Sequence, residues 1–224
     1  MPLRILCDFD GTIAACDVTD SLLETFALPE WRAWETEWQA GRIGAQACME
    51  QQVALLRVSR AALDAHLDQI AIDTGFVGFV DEAQRLGCDL TVVSDGIDYA
   101  IQRILGRHGL GDLPVIANHL EPVADDRYRL VFPHARPDCR VAAGTCKCHV
   151  AGDATPHMRR LLIGDGRSDF CAAGRVDLVF AKDKLLRHCR EQNLPHLPFR
   201  DFAHAGTLLN ALVREEAGGN PLTG

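Results

Sequence analysis

Nowhere in the 224 residues do five basic side chains stand together, and no apolar run approaches the roughly 18 residues that a membrane-spanning helix needs. Lysine and arginine number 23 against 31 aspartates and glutamates, a formal charge of -8. That balance excludes nucleic acid as the main partner, because a phosphate backbone calls for concentrated cationic side chains. It leaves room for a small anionic ligand, which needs positive charge only inside one pocket. Neither an internal repeat nor a low-complexity segment is present, which removes the solenoid and disordered classes. The seven residues before Asp8 are too few for a signal peptide's apolar stretch. The expectation is a cytoplasmic protein with no membrane partner.

What is present is ample core material. At 47% hydrophobic, a chain of this length can bury roughly 70% of its unfolded surface, as one domain or as one domain with an inserted cap. The nine cysteines are odd in number, and Cys7, Cys88, Cys171 and Cys189 fall in apparent core elements, where a reduced thiol acts as a small hydrophobe. Cys139, Cys146, Cys148 and His149 are grouped more densely and offer metal-binding side chains. Their C-x-C spacing lacks the paired C-x2-C knuckles of common zinc sites, which favours a merely cysteine-rich loop.

Arg4 to Phe9 reads as a buried strand that ends in carboxylates and glycine, Asp8-Phe9-Asp10-Gly11-Thr12. Charge at the carboxyl end of a strand is where open parallel sheets place their ligands. From about Val18 to Ile72 the pattern is helical: Val18, Leu22, Leu23 and Phe26 share a face, and Leu63, Leu67 and Ile70 do so after a candidate cap at Ser59. Trp31, Trp34 and Trp38 follow helical spacing and read first as a core stripe, with a lid over a ligand as the alternative. Beyond them come a helix from Phe76 to Leu86, a strand over Asp89 to Ser94, a helix from Tyr99 to His108, a short strand at Val115 to Ala117 and a hairpin arm at Tyr128 to Phe132. Further strands at Leu161 to Ile163 and Leu178 to Phe180, and helices from Lys184 to Glu191 and Leu208 to Arg214, complete the pattern. Alternating strands and helices predict an α/β fold with a doubly wound, mostly parallel sheet. The expected organisation is a catalytic core of residues 1–14 and 77–224, with a small helical cap, residues 15–76, inserted after the first strand. An apolar face on that cap would support a homodimer.

Three acidic or hydroxyl-bearing loops follow three candidate strands. In Asp8-Phe9-Asp10 the period of two sends both carboxylates to one side. Asp165 and Asp169 are four apart and would lie together at a helix start. Alone, the first pair also reads as a solvated loop and the second as helix capping. Together they form an oxygen-rich set of the kind Mg2+ prefers. A carboxylate can attack phosphorus to give an aspartyl phosphate, splitting one difficult displacement into two. Lys147 is a candidate second cation for the phosphoryl oxygens, and Ser94 a candidate hydrogen-bond donor to them.

In these motifs the chain resembles the haloacid dehalogenase-like hydrolases, and among them the phosphoserine-phosphatase-like branch with a helical cap. Asp8-Phe9-Asp10-Gly11-Thr12 looks like the first motif, Ser94-Asp95-Gly96 the second, Lys147 the third and Gly164-Asp165-Gly166-Arg167-Ser168-Asp169 the fourth. The resemblance implies a HAD-like Rossmannoid core and a magnesium-dependent phosphatase with Asp8 as nucleophile and Asp10 as general acid and base. It implies Mg2+ held by the side chains of Asp8 and Asp165 and the backbone carbonyl of Asp10, with Asp169 ligating more weakly or fixing metal-bound water. Ser94, Asp95, Gly96 and Lys147 would hold the phosphate. The second acid separates phosphatases and mutases from relatives that attack carbon, since an alkoxide of high pKa needs a proton as it leaves.

A narrower resemblance is to the methionine-salvage phosphatases acting on 2-hydroxy-3-keto-5-methylthiopentenyl 1-phosphate and to relatives acting on phosphocholine or phosphoethanolamine. It rests on Ser94-Asp95-Gly96-Ile97-Asp98, Phe132-Pro133-His134, the cysteine-flanked Lys147 and Val179-Phe180-Ala181-Lys182. A phosphoserine phosphatase and a non-catalytic module that keeps the fold to bind a phosphate ligand are the alternatives. Asp17, Asp20 and Asp98 are candidate substrate-binding residues, and each is otherwise an ordinary helix-turn acid. Arg42 and Arg57 are candidates to guide an anionic substrate.

Overall fold

The computed structural model describes residues 3–152 and 158–218, with side chains as far as residue 214. The first strand, β1 (Leu3–Cys7), sends Ile5 and Cys7 into one apolar cluster and Leu6 into another. Both faces are buried, as a parallel strand sandwiched between helices requires.

Four helices follow before the chain returns to the sheet: α1 (Val18–Phe26), α2 (Trp31–Gln39), α3 (Ala45–Ala54) and α4 (Arg60–Leu67). The Asp17 carboxylate accepts from the Asp20 amide at 2.9 Å to start α1, and the Ser59 hydroxyl accepts from the Ala62 amide at 3.3 Å to start α4. At the neck of this excursion Ala14 and Ile72 form an antiparallel bridge. Its inner residues, Leu22, Leu23, Val53 and Leu63, join the same cluster as the sheet face beneath. Of the three tryptophans only Trp31 is buried; Trp34 is half-buried and Trp38 is exposed. The stripe therefore fans out from core to surface along α2.

The chain then runs through α5 (Phe76–Arg85), β2 (Asp89–Ile97), α6 (Asp98–Arg107), β3 (Val115–Ala124), β4 (Arg127–Val131), α7 (Lys147–Gly152) and β5 (Arg159–Gly164). A 3-10 turn over Arg167–Asp169 leads into α8 (Phe170–Ala173), β6 (Leu178–Ala181), α9 (Asp183–Glu191), β7 (His196–Pro198) and α10 (Phe202–Gly218). The strands form one seven-stranded sheet in the order β4-β3-β2-β1-β5-β6-β7, parallel except for the β3–β4 pair. This is the expected α/β Rossmannoid arrangement. From β1 the strand order grows outward through β2 and β3, then crosses back to β5 on the other flank. The reversal opens a crevice at the carboxyl ends of β1 and β5, where ligands of such sheets bind.

Helices cover both faces. On one, the Phe202 ring of α10 lies 4.7 Å from that of Phe76 and 5.2 Å from that of Phe79 on α5. On the other, Leu6, Val93, Leu162 and Val179 pack against Val150, Ala172 and Leu185 of α7, α8 and α9. Among the described residues no helix is long and apolar enough to cross a membrane.

Several bounds differ from the sequence expectation for physical reasons. Strand β3 runs on to Ala124 through Pro122, because β2 pairs with it only as far as Asn118 and the remainder needs only β4. Strand β7 was not anticipated; it has three residues, follows Pro195, ends on Pro198 and sits at the sheet edge. Helix α10 begins at Phe202, not Leu208, because the Asp201 carboxylate accepts from the His204 amide at 2.8 Å and starts it early.

Phe202 has no accessible surface, so Phe202→Ala is expected to cost about 3–5 kcal/mol. Urea unfolding followed by circular dichroism would measure it, and a loss below ~1 kcal/mol would contradict this packing.

Candidate active site

The apolar run of β1 holds its pairing one residue past its end, the Asp8 amide donating to the Ile163 carbonyl at 2.9 Å. That bond delivers the Asp8 carboxylate to the crevice, while Phe9 turns fully into the core. Asp8 Oδ1 accepts from the Phe9 amide at 2.7 Å and meets Lys147 Nζ at 2.6 Å. The same ammonium lies 2.7 Å from Asp169 Oδ1 and 3.1 Å from Ser168 Oγ. Among the described residues no hydrogen bond is directed at Asp8 Oδ2.

Thr12, on the turn after β1, donates to Asp165 Oδ1 at 2.9 Å. Oxygen atoms of Asp8, Asp165 and Asp169 all lie within 4.8 Å of one another. Burial raises the Asp8 pKa well above the carboxylate range, with the Asp169 charge adding to it and Lys147 opposing it; burial also raises that of Asp165. Desolvation works against the charge on Lys147, but the Asp169 and Asp8 carboxylates outweigh it and drive the ammonium pKa up. Two cations, Lys147 and, beside Asp165, Lys182, still leave three clustered carboxylates with a deficit of positive charge. All the donors are hard oxygens, so the set fits Mg2+ and gives a softer metal no thiolate or imidazole.

Two glycines let these acids approach. Gly11 adopts φ +69°, and a Cβ there would stand 2.8 Å from Asp165 Oδ2. A Cβ on Gly164 would fall 2.4 Å from Asp169 Oδ2.

Asp10 takes a separate place. Its Oδ1 accepts from the Val18 amide at 2.8 Å, and its Oδ2 from the Ser94 hydroxyl at 3.2 Å. Burial, reinforced by the Asp17 charge, pushes its pKa up to about 7. Ser94 Oγ in turn accepts from the Gly96 amide at 2.9 Å. The strand that carries Ser94 runs on through Gly96 to Ile97, so serine and glycine are held by the sheet.

Residues 5–174 match the sequence profile of the haloacid dehalogenase-like hydrolases. The chain belongs to this family. Among curated relatives, the 2-hydroxy-3-keto-5-methylthiopentenyl-1-phosphate phosphatase of Geobacillus thermodenitrificans is 33% identical over 89% of this chain and 92% of its own. That of Geobacillus kaustophilus is 33% identical over 96% and 97%. In fold the hydrolase is similar to a phosphoserine phosphatase solved as a phospho-aspartyl intermediate analogue, with a TM-score of 0.68 at 17% identity over 94% of this chain and 98% of that one. With this family membership and this acidic site, the hydrolase is a phosphatase-type enzyme.

The remaining candidate residues of the hydrolase are scattered. Asp17 caps α1 beside Asp10, and Asp20 lies in the first turn of that helix, its pKa raised to about 6 by burial and by the Asp17 charge. Asp98 is occupied elsewhere: its carboxylate accepts from the Leu120 amide at 3.0 Å and pairs with His119 Nδ1 at 2.7 Å, tying α6 to β3. The Asp95 side chain is likewise taken up by other partners. It accepts from the Thr145 amide at 2.8 Å and from Asn118 Nδ2 at 3.2 Å, and Thr145 donates to Asn118 Oδ1 at 3.1 Å. Asp95 thus anchors the segment that enters α7 and presents Lys147. Arg42 pairs with Glu37 at 2.6 Å and Arg57 donates to the Leu56 carbonyl at 2.7 Å, both on exposed positions.

Sequence reading missed Thr12, Ser168, Asn118 and Thr145. The first two sit inside recognised motifs, where hydroxyls beside carboxylates were a usable signal. Asn118 and Thr145 carry no local signal, since their partners lie on distant strands.

Gly164→Ala is expected to push Asp169 off Lys147 and lower kcat/KM at least tenfold, about 1.4 kcal/mol. A steady-state comparison with wild type checks this, and unchanged kinetics would mean that Asp169 is dispensable where it stands.

Proposed function

We propose that the protein is a magnesium-dependent phosphomonoesterase that works through a phosphoryl ester of Asp8, and that its substrate is 2-hydroxy-3-keto-5-methylthiopentenyl 1-phosphate. The observation that carries the chemistry is the division of labour between two acids. Among the described residues no hydrogen bond is directed at Asp8 Oδ2, while Asp10, two residues on, is held by the Val18 amide and the Ser94 hydroxyl; burial raises both pKa values, so position and not acidity separates the two roles.

Asp8 Oδ2 attacks phosphorus as the bond from phosphorus to the ester oxygen breaks, and the protonated Asp10 carboxyl hands its proton to the departing alkoxide. A water molecule then attacks phosphorus of the aspartyl phosphate, with Asp10 taking its proton, and Asp8 and inorganic phosphate are released. Lys147 and Ser94 hold the phosphoryl oxygens, and Lys147 keeps Asp8 oriented. The side chains of Asp8 and Asp165 and the Asp10 backbone carbonyl would hold Mg2+, with Asp169 fixing metal-bound water or ligating more weakly. When bound, Mg2+ offsets charge on the carboxylates and the phosphoryl group.

The substrate reading is supported by the named activity of the Geobacillus relatives, which align with nearly the whole chain at 33% identity. Phosphoserine is the second reading, supported by the shared fold with phosphoserine phosphatase.

Phosphate release from a panel holding the methylthiopentenyl enol phosphate, phosphoserine, phosphocholine and phosphoethanolamine decides between them. The enol phosphate is expected to be favoured at least tenfold in kcat/KM, only with Mg2+, and to be inert to Asp8→Asn. Preference for another ester would replace the substrate, and no turnover by folded protein with Mg2+ would remove the hydrolase reading.

Asp10→Ala separates the two acids. The variant should lose far more activity on an alkyl phosphate than on p-nitrophenyl phosphate, whose phenolate departs without a proton. Equal losses on both would show that Asp10 does not protonate the leaving group.

A further inference from the structure

Cys146 and Cys148 flank Lys147, and their sulfurs stand 3.2 Å apart. The Cys139 thiol reaches Cys146, and the Cys171 thiol, on α8, reaches Cys148. Four sulfurs from three separate pieces of chain thus form a continuous run: the stretch after β4, the entry to α7, and α8. Cys146, Cys148 and Cys171 line one cavity of about 610 Å3, with His149, Arg140 and Arg175.

The segment that carries Cys139 gives an independent reason for a fastening here. Between β4 and α7, residues 132–146 form neither helix nor strand, and Val141 is 51% exposed. Its exit is anchored by the Asp95 and Asn118 bonds to Thr145 and its middle by the Gln46 amide on the Ala142 carbonyl at 2.8 Å, whereas the stretch around Cys139 has only turn bonds, such as the Ala142 amide to the Cys139 carbonyl at 3.0 Å. Irregular loops of this length in a compact fold are seldom left without a purpose or a clasp. This one ends on the lysine that bridges Asp8 and Asp169.

We propose that Cys139, Cys146, Cys148 and Cys171 bind a zinc ion, a structural site that clasps the loop presenting Lys147. Zinc takes four thiolates tetrahedrally, and its structural sites are closed to further ligands. Binding releases the four thiol protons to solvent and leaves a net charge of minus two on the centre, which Arg140 and Arg175 on the cavity wall offset in part, with Asp138 on the same wall opposing them. Ligand softness keeps the two metals apart, sulfur for zinc and carboxylate oxygen for magnesium. Cys171, expected from sequence to be a core hydrophobe, becomes the fourth ligand in place of His149. Among the described residues only the three aspartates already have all their donor atoms within 4.8 Å of one another. Zinc binding at Zn–S distances of ~2.3 Å therefore draws the outer thiols inward by side-chain rotation.

The test is elemental analysis and cobalt substitution of the full chain purified from zinc-supplemented medium. One zinc per chain is expected, and the cobalt form should show the intense thiolate charge-transfer and ligand-field bands of a tetrahedral sulfur site. Cys148→Ser and Cys171→Ser should lose the metal, whereas Cys88→Ser and Asp8→Asn should keep it. If the serine variants are insoluble, organomercurial titration of the wild type should release zinc to a chromophoric chelator as four thiols react. A chain that takes up neither zinc nor thiolate-bound cobalt overturns the proposal. So does zinc retained by soluble Cys171→Ser, zinc lost from Asp8→Asn, or thiol titration without zinc release.

Discussion

An ammonium group taken out of water between two carboxylates governs the arrangement around it. Lys147 Nζ lies 2.6 Å from Asp8 and 2.7 Å from Asp169, and the three side chains are at most 4% exposed. Removing one member of such a buried set leaves a charge without a partner, a penalty of about 3–5 kcal/mol. The fold therefore has to bring three unrelated segments to one point within tenths of an ångström. β1 supplies Asp8, the turn after β5 supplies Asp169 through the room left at Gly164, and α7 supplies the lysine.

The supporting contacts follow from that demand. Asp95 and Asn118 reach from β2 and β3 to Thr145, two residues before Lys147, so the sheet itself sets where the lysine enters. Thr12 does the same for Asp165 from the β1 turn. The two acids that flank Phe9 end in different surroundings because one faces the lysine and the other faces Ser94 and the start of α1. Their chemical difference is thus a consequence of which neighbouring strand each meets, in a crevice that the reversal of strand order opens.

Much of this was legible in the sequence, since it is written locally. The buried run before Asp8, the alternation of strands and helices, and the acid-rich turns after β1 and β5 each carry their own signal. Asp95 shows where that ends. Beside Ser94 it reads as part of a phosphate loop, and nothing local shows that its side chain also anchors the α7 entry through Thr145. Asp98 likewise bonds across to β3, a partner no spacing rule reveals. Cys171 looked like core filling because its contact with Cys148 depends on how α8 packs on α7. Weakly patterned elements were lost for a similar reason: β7 is an edge strand three residues long, and the outer half of β3 is specified by pairing with β4.

The strand order also bears on when the site can exist. β1 is the first strand made, yet it lies at the middle of the sheet, and its partners are β2, whose pairing begins at Asp89, and β5, whose pairing begins at Arg159. A nascent chain must carry this apolar strand unpaired on one edge until β5 has emerged from the ribosome. Pairings so distant in sequence are slow to close. The nucleophile's surroundings therefore cannot be complete before β5 has been synthesised, and until then one edge of this apolar strand is exposed to other chains.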